Sequence, residues 1–163
     1  AVEQAETAKE AEFVEREKNP FRPYKGVPTF GSLNFEFPKS WNVFVLERES
    51  GTILDFYSLP ESIPGVDQSV NFAFRAQILD ITYDDEVAKY RNAIASGKIT
   101  STAYRAGKVP TVLGVYLEGE VATGKQGQMV ILPQRDKTFK FWSESPDFTS
   151  DFNQIIETIS FVP

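Results

Sequence analysis

The stretch VNFAFRAQILD, residues 70–80, has the clearest alternation of apolar and polar residues in the chain. Successive side chains of a strand point to opposite faces, so this pattern predicts a long strand with one face on a core. The core-facing set is Val70, Phe72, Phe74, Ala76 and Ile78, and the opposite set is Asn71, Ala73, Arg75 and Gln77.

The period of the apolar residues changes directly after this strand. Thr82 and Asp85 resemble a capping box, although Asp is a weaker partner than Glu. Gly97 is a natural C-terminal stop. Between these signals the apolar residues recur at helical spacing, which predicts a core helix over residues 83–95. Its apolar face consists of Tyr83, Val87, Tyr90 and Ile94.

Further strands and a second helix follow from the same reasoning. The predicted strands are LNFEFP (33–38), WNVFVLERE (41–49), TILDFYSL (52–59), ITSTAYR (99–105), TVLGVYLEGEV (111–121), QMVILPQ (128–134) and TFKFW (138–142). Ser145-Pro146 opens the last helix, and its apolar stripe consists of Phe148, Phe152, Ile155, Ile156 and Ile159. We therefore predict an α+β fold: an antiparallel sheet of about six to eight strands with a helix on each side, an α/β/α sandwich.

The first 28 residues differ in composition from the rest of the chain. Residues 1–18, AVEQAETAKEAEFVEREK, are rich in helix formers but lack a continuous apolar stripe, which predicts a charged stalk helix. This helix is either a solvated appendage or a partner-binding element. Residues 19–28, NPFRPYKGVP, predict an extended proline-rich linker. We divide the chain into stalk and linker at 1–28 and one domain at 29–163.

Composition excludes several kinds of chemistry. The 163 residues include no Cys and no His. The missing Cys excludes disulfides, thiolate metal sites and a thiol nucleophile, and the missing His excludes a Ser–His–Asp triad and imidazole-ligated metals. The net charge of −6 disfavours nucleic acid and anionic lipid as partners. No run of 18 apolar residues occurs, so no membrane span is predicted.

In two short motifs and in the order of its elements, the chain resembles members of the PsbP-like superfamily. That superfamily includes the extrinsic PsbP subunit of photosystem II and bacterial envelope relatives. The residues that carry the resemblance are Phe35, Pro38 and Trp41 in NFEFPKSW, and Ile155, Ile156, Ser160 and Phe161 in IIETISF. The resemblance covers residues 29–161 and implies an α–β–α sandwich and a role in protein binding without catalysis. No metal or partner contact transfers to particular residues, because the chain lacks matching motifs and the histidines that some photosystem members use.

Two acidic clusters lie at predicted helix starts. They are Asp84, Asp85 and Glu86 before the first helix, and Glu144, Asp147 and Asp151 around the start of the last one. The helix dipole favours carboxylates at these positions, and no calcium-loop motif accompanies them. We therefore interpret both clusters as helix-start residues; a carboxylate acid–base pair in the second would need a cleft around it.

The hairpin EGEVATGKQG, residues 118–127, approaches a phosphate-binding loop. Gly119, Gly124 and Lys125 match the first part of the Walker pattern, but Gln126 stands where Ser or Thr is required, and the flanks are predicted strands. We predict no catalytic residue, no metal site and no cofactor.

The strands near the C-terminus are locally basic on an acidic chain. Alternation in TFKFW turns Phe139 and Phe141 inward and puts Lys140 and Trp142 on the other face. If Trp142 is exposed, a protein-contact surface results, because interfaces are enriched in Trp and Arg. If Trp142 packs under the loop before the last helix, that surface does not exist. The predicted contact residues are Arg135, Lys137, Lys140 and Trp142.

These observations favour a non-catalytic, surface-exposed envelope domain that acts through protein–protein contacts on the extracytoplasmic side. The chain starts at Ala1 rather than Met, so we expect that an upstream membrane anchor has been removed. One alternative is a small-molecule or lipid-binding module, which needs an apolar cavity of roughly a few hundred Å³ between sheet and helix. Another is a carboxylate-based enzyme, which needs a cleft with convergent titratable groups.

Overall fold

The structure is a computed structural model and describes residues 20–60 and 70–163. The predicted stalk helix at 1–18 and most of the loop at 59–69 lie outside the described residues. The elements in chain order are β1 (Phe21–Lys25), a 3-10 turn (Pro28–Phe30), β2 (Asn34–Pro38), β3 (Asn42–Glu47), β4 (Thr52–Leu59), β5 (Phe74–Leu79), α1 (Tyr83–Ala88), α2 (Arg91–Ala95), β6 (Ile99–Arg105), β7 (Leu113–Ala122), β8 (Lys125–Gln134), β9 (Lys137–Trp142), a second 3-10 turn (Pro146–Phe148) and α3 (Thr149–Glu157).

Seven of these strands form one antiparallel sheet in the order β3-β4-β5-β9-β8-β7-β6. Strands β1 and β2 form a separate antiparallel pair. Because β9 joins β5 to β8, the last strand of the chain closes the centre of the sheet, and β3 and β6 lie at its two edges. The predicted antiparallel α+β architecture is confirmed.

The two faces of the large sheet are covered by different elements. The first face, which carries Phe56, Phe74 and Phe141, packs against α3 and against β2 of the small sheet. The second face carries Leu117 and Ile131, which pack against the apolar side chains of α1 and α2. A helical layer on each side confirms the α/β/α sandwich.

Aromatic rings dominate the core of the first face. Phe35 of β2 is their centre, since its ring lies 5.1 Å from Phe56, 5.4 Å from Phe74 and 6.1 Å from Phe141. Its other ring neighbours are Tyr24 at 5.1 Å and Phe37 at 6.3 Å. Trp41 is also buried here and meets Phe148 edge-on at 5.9 Å. The alternation in NFEFP therefore places aromatic residues in the core, as predicted.

The linker prediction is wrong for Phe21–Lys25. These residues form β1, which pairs with β2 from Phe21 opposite Pro38 to Lys25 opposite Asn34. Extended proline-containing sequence fits an edge strand, because its N–H groups on one side need no partner there. The stacking of Tyr24 on Phe35 holds this strand on the core.

The helix predicted over 83–95 is broken in the middle. Thr82 caps it as expected, accepting a hydrogen bond from the Asp85 N–H at 3.3 Å. At residues 89–90 the chain turns more tightly, because Lys89 N donates to Glu86 O and Tyr90 N donates to Val87 O. The four predicted apolar residues nevertheless pack together against the second face.

Strand β5 differs from its prediction in length and in burial. It begins at Phe74 rather than at residue 70. The predicted core-facing residues within the strand are confirmed, but Phe72 before it lies near Arg75 instead, and Arg75 on the opposite face is also buried. A charged residue buried between aromatic-rich strands requires partners of opposite charge, and these partners form the candidate site.

Candidate functional site

Three adjacent strands bring a row of polar and aromatic side chains together on the second face. Tyr57 of β4 lies directly opposite Arg75 of β5, and Arg75 lies directly opposite Trp142 of β9. In the next row, Asp55 lies opposite Gln77. Directly opposed residues of antiparallel strands are close neighbours, so the register alone assembles this group.

The guanidinium of Arg75 is the centre of the group, and its side chain is only 8% exposed. It forms an ion pair with Asp55 and approaches a Glu144 carboxylate oxygen at 4.0 Å. It also lies over the ring of Tyr57 at 3.7 Å and over the ring of Trp142 at 4.6 Å. Both ring contacts are cation–π interactions, which help to stabilise an arginine side chain that is removed from water.

Glu144 follows β9 and is the second carboxylate of the group, with a side chain 3% exposed. One of its oxygens accepts from Lys125 Nζ at 2.8 Å and from the Phe72 backbone N–H at 3.0 Å. The other accepts from the Trp142 indole N–H at 3.1 Å. These three charge-assisted hydrogen bonds hold Glu144 in one orientation.

Asp55 has neutral donors in addition to Arg75. Tyr57 Oη donates to it at 2.8 Å, and Gln77 Nε2 donates at 3.3 Å. Two carboxylates therefore meet two cations, Arg75 and Lys125, inside the protein. We call Asp55, Arg75, Lys125 and Glu144 the charge network. It is internally neutral, and such compensation is what allows charges to be buried.

A second ion pair borders the charge network. Lys140 Nζ lies 3.2 Å from a carboxylate oxygen of Glu86, and Lys89 Nζ lies 2.9 Å from the other oxygen. Burial alone would raise the pKa of Glu86, but the hydrogen bonds and charges of Lys89 and Lys140 outweigh it, and the pKa is lowered. Lys140 also lies 5.0 Å from the centre of the Trp142 ring.

The four residues predicted as a partner contact do not form one exposed surface. Trp142 is only 5% exposed and belongs to the core under α1 and α2. Lys140 is paired with Glu86, and Lys137 pairs with Asp80 at 2.8 Å and with Asp136 at 3.2 Å. Only Arg135 of the four is exposed, in the turn between β8 and β9. Of the two alternatives for Trp142, the buried one holds, although the ring packs under α1 and α2 and not only under the loop before the last helix, so the contact surface conditional on an exposed Trp142 is withdrawn.

The two acidic clusters separate in the structure. Asp84 and Asp85 are exposed in the first turn of α1, whereas Glu86 turns inward to Lys140. Glu144 turns into the charge network and does not pair with Asp147 at the start of the second 3-10 turn. Within residues 20–60 and 70–163, no group of three or more His, Cys, Asp or Glu side chains is arranged to hold a metal ion.

Sequence reasoning missed the charge network because its members lie far apart in the chain. Lys125 was noted only as part of a near match to a phosphate loop; it is the partner of Glu144, and its hairpin has Gly124 at φ 72° in the turn. The available signal was a charged residue between apolar residues in two strands, Asp55 in LDFY and Arg75 in AFRA. Such opposite charges in neighbouring strands are natural partners for one another.

A small apolar cavity lies on the first face, away from the charge network. It has a volume of about 100 Å³ and is bordered by β1, the first 3-10 turn and the ends of β3, β4 and β5. Its lining includes Tyr24, Val27, Phe30, Leu33, Leu54 and Ile78, together with Glu47 and Arg48. Burial, and then the charge of Glu47, raise the pKa of Tyr24, so its hydroxyl stays neutral at physiological pH.

Structural comparison places this architecture among known folds. The solution structure of cyanobacterial PsbP (CyanoP) from Synechocystis sp. PCC 6803 matches with a TM-score of 0.54 at 15% identity, covering 87% of this chain and 92% of that one. A crystal structure from Bacteroides thetaiotaomicron VPI-5482 matches with a TM-score of 0.46 at 11% identity, covering 88% of this chain and 49% of that one. The chain thus spans about half the length of the latter protein.

The likeness to CyanoP shows that this chain has the PsbP-like fold, which confirms the resemblance at the level of architecture. No family model matches the sequence. No curated protein matches it either. Across residues 20–60 and 70–163, no helix is long and apolar enough to cross a membrane.

Proposed function

We propose that this chain is a non-catalytic accessory domain that acts outside the cytoplasm by binding another protein. The observation that carries the proposal is the charge network. The buried charged groups Asp55, Arg75 and Glu144 are used in pairing with one another and with Lys125, so their role is to hold strands together. The PsbP-like fold supports the same conclusion, since the resemblance implies protein binding.

The cavity favours protein contact over small-molecule binding. Drug-sized ligands occupy pockets of roughly 300–1,000 Å³, whereas this cavity measures about 100 Å³ and lies beside the edge of the sheet. A space of this size fits a single side chain of a protein partner. A drug-sized ligand therefore does not fit this cavity.

In-cell photo-crosslinking tests the proposal. A photoreactive amino acid is placed at one exposed position on each of three surfaces, Val45 on β3, Ala103 on β6 and Arg91 on α2. We expect one surface to crosslink to a specific protein while the other two stay at background. Background labelling at all three positions, or the same non-specific set of proteins from each, would contradict protein binding at these surfaces.

The location outside the cytoplasm requires its own test. In cells that express the full gene, the chain should be digested by protease added to intact cells or to spheroplasts, and it should fractionate with membranes if an anchor precedes it. Protection in spheroplasts, with a cytosolic marker equally protected, would contradict the proposed location.

A further inference from the structure

Within residues 20–60 and 70–163, the outer edge of β3 has backbone groups that pair with no other strand. Arg48 N donates to Ile53 O of β4 at 2.8 Å. Backbone groups alternate in direction along a strand, so those of Leu46 and Phe44 also face β4, whereas those of Val43, Val45 and Glu47 point away from the sheet. No other strand of the described residues pairs with β3 on that side.

The side chains of β3 are apolar on both faces of this edge. Four consecutive residues, Val43 to Leu46, are apolar and only partly covered, and Val45 is 37% exposed. Proteins ordinarily protect an edge strand with Lys, Pro or a bulge. Strand β3 has none of these between residues 42 and 47.

The opposite edge of the sheet has a different character. Strand β6 presents Thr100 to Ala103 to solvent, and three of these four residues carry hydroxyl groups. Ala106 N donates to the carbonyl oxygen of Val112, the residue before β7, so alternation points the backbone groups of Ser101 and Ala103 outward. This edge has the same backbone geometry as β3 without its apolar side chains, which makes it a matched control.

The small cavity adjoins the end of the β3 edge. Glu47 and Arg48 at the end of β3 are among its lining residues, and Val27, 54% exposed, lines it from the first 3-10 turn. A chain paired along β3 would therefore end beside the cavity. The charged side chains in its lining are one negative and one positive, so charge complementarity favours an uncharged anchor.

We infer that the edge of β3 binds an extended apolar segment of a protein partner, which adds a strand to the sheet and places one uncharged side chain in the cavity. This rests on the proposed protein-binding function and specifies its partner. A second copy of the chain is disfavoured by area: an edge of six residues offers roughly 200 Å² per partner, against about 800 Å² in a standard stable interface. A flexible segment needs no such area, because main-chain hydrogen bonds provide its affinity.

Peptide selection on the full chain tests this inference. Random twelve-residue peptides displayed on phage are selected against the protein, and the best one is synthesised with a fluorescein label. In anisotropy titrations we expect Val45→Pro to weaken binding at least tenfold, because proline removes the outward N–H yet is tolerated on an edge strand. Ala103→Pro on β6 should leave the affinity within twofold, and an Ala at the peptide's anchor position should weaken it at least tenfold.

A measurement on the unchanged protein guards against misfolding of the proline variant. By amide exchange in NMR, bound peptide should slow the Val45 N–H at least tenfold and leave the Ala103 N–H unaffected. No enriched peptide, equal effects of the two proline variants, or protection at Ala103 instead of Val45 would overturn the inference. So would light scattering that shows a dimer abolished by Val45→Pro. In cells, crosslinks at Ala103 or Arg91 but not at Val45 would refute this site and leave the protein-binding function standing.

Discussion

One face of the large sheet is filled by phenylalanine rings, and the other contains charged side chains in its interior. On the first face Phe56, Phe74 and Phe141 pack around Phe35. On the second face, the strands that carry Phe56 and Phe74 present Asp55 and Arg75. Alternation along a strand explains how neighbouring residues meet such different surroundings.

The two faces are stabilised by different physics. Burial of an aromatic ring is favourable on its own, and its loss leaves a cavity. A buried charge is costly on its own and is tolerated only when its partners are complete. We therefore expect substitutions on the first face to destabilise the fold when they remove side-chain volume. On the second face, we expect the loss of a charged partner to destabilise it even when side-chain volume is unchanged.

The largest effect is expected on the first face. Phe35→Ala removes the ring at the centre of the aromatic cluster and should lower the free energy of unfolding by roughly 3–5 kcal/mol. Phe35→Leu, the control, retains most of the volume and should cost less than about 1.5 kcal/mol. Chemical denaturation measures both. Equal losses in the two variants would show that volume does not govern this face.

A smaller effect is expected from the second face. Arg75→Met keeps an apolar side chain of similar length but leaves Asp55 without its cation. We expect a loss of about 3 kcal/mol, at the low end for a broken buried pair, because Lys125 still faces Glu144. The control is Arg91→Met on the surface of α2, which should stay within about 0.5 kcal/mol of the parent.

A double-mutant cycle ties this loss to the ion pair. Asp55→Asn combined with Arg75→Met should cost less than the sum of the single changes, by at least about 1 kcal/mol. If the two losses simply add, the pair does not act as a unit and the charge network has another role.

The smallest effect concerns Glu86 and depends on pH. Its pKa is lower in the folded protein than in the unfolded chain, so its ion pairs stabilise the fold above the ordinary carboxyl range near pH 4.3 and lose this effect as pH falls through the folded pKa. Glu86→Gln should cost about 1–2 kcal/mol at pH 7. The difference in free energy of unfolding between this variant and the parent should shrink below about pH 4.

The matched control for this change is Asp84→Asn, an exposed carboxylate in the same first turn of α1. It should cost less than about 1 kcal/mol, mostly from the helix dipole. Thermal unfolding from pH 3 to pH 7 distinguishes the two variants. If the difference in melting temperature between Glu86→Gln and the parent stays constant across this range, titration of Glu86 is not its source.

Local periodicity predicted much of the fold. The core positions of NFEFP, the inward rings of Phe139 and Phe141, the cap at Thr82 and the apolar stripe of α3 are all confirmed. These features depend on residues within one element, where periods of 2 and 3.6 decide which side is apolar. The strand at Phe21–Lys25 escaped prediction because its identity depends on pairing with β2.

The candidate site could not be predicted in the same way. The ion pair between Asp55 and Arg75 joins residues on different strands, and the pair between Lys125 and Glu144 spans two more. Trp142 illustrates the limit most clearly, because alternation assigned it to the face of Lys140 and left its exposure open. Burial depends on what packs against that face, which only the arrangement of α1, α2 and the neighbouring strands decides.

The sequence by itself determined the type of most elements, the apolar side of most of them and the α+β class, because backbone geometry imposes these from residues close in the chain. The tertiary structure alone decided the strand order, the pairing of buried charges and the identity of the free edges. Those features depend on residues that are distant in the chain, and the interactions between these residues stabilise the protein only after the strands have paired. The apolar edge of β3 is of this kind: VFVL reads as a strand anywhere, and only its place at the end of the sheet makes it the edge at which we propose that a partner binds.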